Sequence, residues 1–196
     1  MNKFIISFSL FILLLPSAQS QVRFGVKGGI TTSGVSGSID TKNVSGFTFG
    51  PTVEAMINER FGAQASILFA QKGIQVKGQS KQTTSYLEIP TSFKIAIPVS
   101  ENIKPYINGG PYVGFRIAGD KNFSYITNDD LSRRWKTEWF TAGLNFGAGV
   151  ELLNFLQLGA NYGFGLTDNY KLSDGSYSVK DRTWSITAAV YFYQKK

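Results

Sequence analysis

The residues able to do chemistry are few, and the missing types decide as much as the present ones. The 196-residue sequence contains no histidine and no cysteine. That removes Ser-His-Asp and Cys-His nucleophilic sites, histidine-bearing metal sites and zinc thiolates. Paired carboxylates remain: Asp129 and Asp130 stand side by side after Asn128. In a polar segment such a pair reads as a solvated turn before it reads as a metal or catalytic site. GVKGGIT, Gly25 to Thr31, is rich in glycine, but no helix pattern follows it, so it is no phosphate loop. Asn43-Val44-Ser45 and Asn122-Phe123-Ser124 match a glycosylation pattern that has meaning only in a eukaryotic secretory pathway. No enzyme activity, cofactor or metal is expected.

Four isolated charges are the remaining candidates: Lys27, Glu54, Glu88 and Arg116. Each sits among small or polar residues inside an otherwise alternating run. If the runs pair as antiparallel neighbours, Lys27 falls near Glu54 and Glu88 near Arg116. Unpaired buried charge is costly, so both are expected to be structural ion pairs. The functional alternative is a gated polar path.

The elements that must hold these charges follow from a period of two. WFTAGLNFGAGVELLNFLQLGANYGFGL, Trp139 to Leu166, puts Phe140, Ala142, Leu144, Phe146, Ala148 and Val150 on one face. Thr141, Gly143, Asn145, Gly147, Gly149 and Glu151 fall on the other. Such alternation means strand, because successive side chains point to opposite faces. The same pattern predicts strands near 22–31, 46–57, 61–72, 85–97, 104–117 and 182–193, which makes eight with the two in the quoted stretch. Pro90 and Pro111 fall inside strands and imply local bulges or a missing ladder bond. Short connections (58–60, 98–103, 153–154) alternate with long polar ones (32–45, 73–84, 118–136, 167–181). Membrane barrels sort their connections in this way, with an even number of strands and short turns on the periplasmic side.

The ends and composition agree. Lys3, the apolar run Phe4–Leu15, Pro16 and Ala18-Gln19-Ser20 read as a secretory signal peptide over residues 1–20, cleaved before Gln21. Residues 21–196 are then one barrel domain. Charged residues make up 17% of the chain, below the roughly 25% of soluble proteins. Aromatics reach 14%. The net charge of +7 is scattered, with no dense basic run of the kind nucleic acid demands. Outer-membrane lipid, lipopolysaccharide phosphates or an envelope protein are the expected partners, and no nucleic acid is.

The two faces decide which side is inside. A soluble barrel would carry Lys and Glu outside. Here the polar face holds Gly, Ser, Thr, Asn and isolated charges, which suits the narrow lumen of eight strands. The apolar face then meets lipid. Aromatics are expected in two girdles, with Phe47, Phe49, Phe69, Phe115, Phe140, Phe164 and Trp184 at one rim. Phe24, Phe61, Phe155 and Phe192 belong to the other. The expected fold is all-β: an eight-stranded antiparallel up-and-down transmembrane β-barrel.

FGVKGGI (24–30), YLEIP (86–90), GPYVGF (110–115), FGAGVEL (146–152) and NYGFGLTD (161–168) resemble the Bacteroidota-type outer-membrane β-barrel family that includes PorT. The resemblance spans essentially the whole chain after residue 20. It implies a small outer-membrane barrel, and none of its motifs is catalytic. PorT itself is associated with a system that secretes proteins across the outer membrane. The expected role is structural or loop-mediated binding in the envelope. A secretion or assembly accessory, a narrow channel, a lipid A-modifying enzyme and a soluble lipophilic-ligand barrel are its rivals.

Overall fold

The computed structural model of the chain describes residues 21–36, 41–76, 82–119, 122–126, 132–172 and 178–195. The expected signal segment and the Asp129-Asp130 pair lie outside these residues. Twelve strand segments follow one another: β1 (Gln21–Ser36), β2 (Thr41–Lys42), β3 (Val44–Met56), β4 (Phe61–Ser66), β5 (Leu68–Val76), β6 (Gln82–Ala96), β7 (Ile103–Ala118), β8 (Asn122–Ile126), β9 (Ser132–Thr137), β10 (Phe140–Leu152), β11 (Leu156–Leu172) and β12 (Ser178–Lys195).

The barrel wall has eight antiparallel staves. They run β1, β3, β4 with β5, β6, β7, β10, β11 and β12, and β12 returns to β1 to close the wall. Closure leaves no edge strand to be satisfied in lipid. β4 and β5 form one stave interrupted at Ile67. Ile67 faces Pro51, which has no N–H to give, although the Ile67 N–H still donates to the Pro51 carbonyl at 3.0 Å.

The wall rises further than the alternation alone implies. Segments expected as long loops are partly strand: β1 reaches Ser36, β6 starts at Gln82, β11 reaches Leu172 and β12 starts at Ser178. The expected loop 118–136 contains the β8–β9 hairpin, whose second strand pairs with the end of β11. Above an apolar belt, polar residues can still complete backbone ladders, so strand outlasts the apolar pattern. The prolines behave as missing ladder bonds. Across Pro90 and Pro111 the β6–β7 register does not shift; its one irregularity lies between Ser85 and Tyr86.

The faces lie as the alternation requires. Arg23, Thr31, Thr52, Glu54, Lys94, Thr141 and Gln157 are buried inside. Val26, Ile186 and Trp184 on the outside are 53%, 65% and 61% exposed. At the long-loop end, outward rings cluster: Phe47, Phe49 and Phe69 lie 5.7–6.2 Å apart, and Phe115 is 5.6 Å from Phe140. Phe61 and Phe93 stack at 6.0 Å near the short-turn end. The turn between β10 and β11 places both Leu153 (φ 53°) and Asn154 (φ 59°) in the left-handed region. They are the two central residues of a turn closed by the Phe155 N–H on the Leu152 carbonyl at 3.2 Å, and positive φ at both gives it the twist that suits a hairpin.

Candidate functional site

The lumen holds the chemistry, and it is organised in two tiers. In the tier nearer the short turns, every stave contributes one side chain: Arg23 (β1), Glu54 (β3), Gln64 (β4), Lys94 (β6), Tyr106 (β7), Glu151 (β10), Gln157 (β11) and Tyr191 (β12). Arg23 forms ion pairs with Glu54 and, at 2.7 Å, with Glu151. Lys94 Nζ donates to Glu54 Oε2 at 3.0 Å and to Glu151 Oε2 at 2.8 Å. Gln157 Nε2 donates to the same two carboxylates at 2.8 and 3.1 Å. Gln64 donates to Gln157 Oε1 at 3.2 Å and to the Tyr191 hydroxyl. The Arg23 guanidinium lies 4.7 Å from the Tyr191 ring centroid, and Lys94 Nζ lies 4.8 Å from that of Tyr106.

Two cations against two carboxylates leave this tier neutral. Neutrality matters because each of these ions has left water. Lys94 is 1% and Glu54 0% exposed. Such a cluster is tolerable only when every ion is paired and the remaining lone pairs are used. Small residues make the space. A Cβ on Gly149 would stand 2.6 Å from the Tyr106 hydroxyl, and one on Gly143 would stand 2.4 Å from the Tyr112 ring.

In the second tier, Lys72 (β5) Nζ lies 2.7 Å from both Glu88 (β6) and Asp181 (β12). Thr183 donates to Asp181 Oδ2 at 3.2 Å, and Lys72 Nζ sits 5.3 Å from the Tyr112 ring centroid. Between the tiers is a cavity of about 70 Å³ whose lining includes Lys27, Thr48, Ser66, Asn108, Asn145 and Asn161. That volume has room for a few waters, each needing about 10–15 Å³ on this measure. Thr48 Oγ1 and Asn108 Oδ1 have no protein partner. Below the first tier a mouth of about 640 Å³, lined by Arg23, Asn58, Lys104, Glu151 and Asn154, opens at the short-turn end.

The four charges singled out from the sequence are placed as follows. Lys27, Glu54 and Glu88 line the lumen. Lys27 donates to Gln64 Oε1 at 3.3 Å. The register puts Lys27 opposite Gly50 and gives Glu54 to Arg23, so the ion pairs of Glu54 are with Arg23 and Lys94 rather than with Lys27. Glu88 stands opposite Gly114, and its ion pair is with Lys72. Arg116 stands opposite Tyr86 and donates to the Gly119 carbonyl at 3.4 Å. The partners missed by hairpin reasoning are Arg23, Lys72, Lys94, Glu151 and Asp181. Their signal was available: Arg23, Lys94 and Glu151 fall on the inward phase of the alternation. Among the described residues no group of three acidic side chains is placed to hold a metal ion.

Residues 17–171 match the family model described as outer membrane protein beta-barrel domain. No curated protein matches the chain. Among solved structures, Neisserial surface protein A is similar at 15% identity and a TM-score of 0.49, covering 86% of this chain and 97% of that one. Ail, the attachment invasion locus protein of Yersinia pestis, is similar at 18% identity and a TM-score of 0.47, with 88% and 99% covered. OprG of Pseudomonas aeruginosa is similar at 13% identity and a TM-score of 0.45, with 89% and 95% covered. The family match is the finding that classifies the sequence.

Proposed function

The chain belongs to the outer membrane protein beta-barrel domain family, and on that premise we propose a non-enzymatic envelope protein, exported by residues 1–20, whose work is structural or done by binding at its long-loop end. The observation that carries this reading is the two-tier lumen. Ion pairs and tyrosines cross it at both levels, which argues against a narrow channel. The outward apolar face argues against a soluble barrel with a lipophilic ligand inside. Outer-membrane lipid or lipopolysaccharide and an envelope protein are the proposed partners, and nucleic acid is not one. The motif resemblance to the family that includes PorT supports a second reading, a secretion or assembly accessory, which co-purification from mildly solubilised membranes would reveal.

The test is heat modifiability. Outer membranes are isolated, solubilised and run on a gel with and without boiling. A mobility shift in the outer-membrane fraction is expected. Unshifted protein in the soluble periplasmic fraction overturns the reading. Planar-bilayer recording of the same material is expected to show no steady conductance, and a steady ohmic current would restore the channel.

A further inference from the structure

We propose that Lys180 and Arg182, on the outward face of β12 at the long-loop rim, bind the phosphate groups of an outer-leaflet lipid; the proposal rests on the outer-membrane reading above. The strand itself creates the charge. In Lys180-Asp181-Arg182-Thr183-Trp184 the acid and the bases alternate. Asp181 points inward, buried, and is taken by Lys72 and Thr183. Lys180 and Arg182 point outward and are exposed. A segment nearly neutral in sequence therefore shows two cations on one side.

Their height on the wall identifies the partner. Trp184 and Ile186 continue the same outward face. Trp184 lies 4.8 Å from the Tyr162 ring, and the Arg182 guanidinium lies 5.9 Å from the Phe164 ring centroid. Aromatic side chains of this kind sit at headgroup level. Two residues of strand add about 7 Å, so along β12 Arg182 stands about 7 Å and Lys180 about 13 Å beyond Trp184, on the headgroup side of the aromatic level. Lipid-facing cations are costly at the midplane and tolerated near the interface. Anionic headgroups there attract Lys and Arg.

The register leaves Arg182 without a carboxylate opposite it and gives Lys180 one, on β11. On the β1 side the register partners are Gly34 and Ser36, both uncharged. On the β11 side Arg182 faces Phe164, and Lys180 faces Asp168, the carboxylate in register at this level. The unbroken run from aromatic belt to cations on one strand face selects a lipid, whose tail and phosphate are joined at this spacing, over a soluble polyanion.

The full chain is refolded in neutral detergent micelles, and lipid A is titrated in while tryptophan fluorescence is read. Saturable binding is expected. In Lys180→Gln/Arg182→Gln the affinity is expected to fall about tenfold or more. Its heat-modifiable migration should be unchanged. Dephosphorylated lipid A should bind as weakly to the wild type as lipid A binds to the double variant. Equal binding by variant and wild type, or by dephosphorylated lipid A, overturns the site. Displacement of lipid A by inositol hexakisphosphate at comparable concentration overturns the lipid assignment and leaves a soluble-anion site. A wild-type chain that never becomes heat-modifiable in any micelle or membrane overturns the outer-membrane reading instead.

Discussion

Arg23 and Glu151 are 128 residues apart in the sequence and lie on staves that share no ladder, yet their side chains meet at 2.7 Å across the lumen. β1 is hydrogen-bonded to β3 and β12, whereas β10 is bonded to β7 and β11. The contact therefore ties opposite sides of the wall. It is reinforced by Arg23 Nη1 donating to the Asn154 carbonyl at 2.6 Å, in the turn that follows β10. A closed sheet already satisfies its backbone. What the plug adds is resistance to flattening.

Glu151→Gln should be strongly destabilising. It keeps the shape but leaves Arg23 and Lys94 sharing Glu54, so one buried cation loses its counter-charge. Breaking a buried pair in this way costs about 3–5 kcal/mol. Urea unfolding of the barrel in lipid vesicles should show it as a lowered midpoint. Combining it with Arg23→Gln restores charge balance, and the double variant should lose less than the two single losses added together. Strict additivity would mean that the two groups do not act as a pair.

Gly159→Ala tests how tightly the lumen is filled. The added Cβ would stand 2.6 Å from the Tyr106 hydroxyl and 3.4 Å from the Ala148 carbonyl. The hydroxyl is the obstacle, and overpacking of this kind costs about 1–3 kcal/mol. In a Tyr106→Phe background the same alanine should cost less than about 1 kcal/mol. An equal cost in both backgrounds, read from the same unfolding curves, would place the strain elsewhere.

Leu153→Asn should stabilise. Leu153 holds φ at 53° in the turn between β10 and β11. For a residue with a branched apolar side chain that region costs about 1–2 kcal/mol, and asparagine tolerates it better. The leucine is exposed, so little packing is lost. A rise of about 1 kcal/mol in unfolding free energy is expected, with unchanged migration on the gel. A fall would show that Leu153 is held by contacts with lipid.

Much of the fold was legible because alternation is a local property. Successive side chains of an extended backbone must point to opposite faces, so Phe146 and Leu158 outward, or Lys94 and Glu151 inward, follow from position alone. The unequal lengths of the connections then set which end is which. Strand ends were less legible. Above the apolar belt the pattern fades while the backbone ladder continues, and Asp181, read as loop, belongs to β12.

The number of staves, the sorting of the two faces and the absence of histidine and cysteine chemistry follow from residue order. Which charges meet follows from the closed wall. Hairpin reasoning can pair Lys27 with Glu54 because it sees adjacent strands. In a closed, tilted wall a long side chain reaches the far side as easily as its neighbour. The stagger at closure therefore selects Arg23 and Lys94 for Glu54, and Lys72 for Glu88. That stagger is a property of all eight staves at once, and no local pattern carries it.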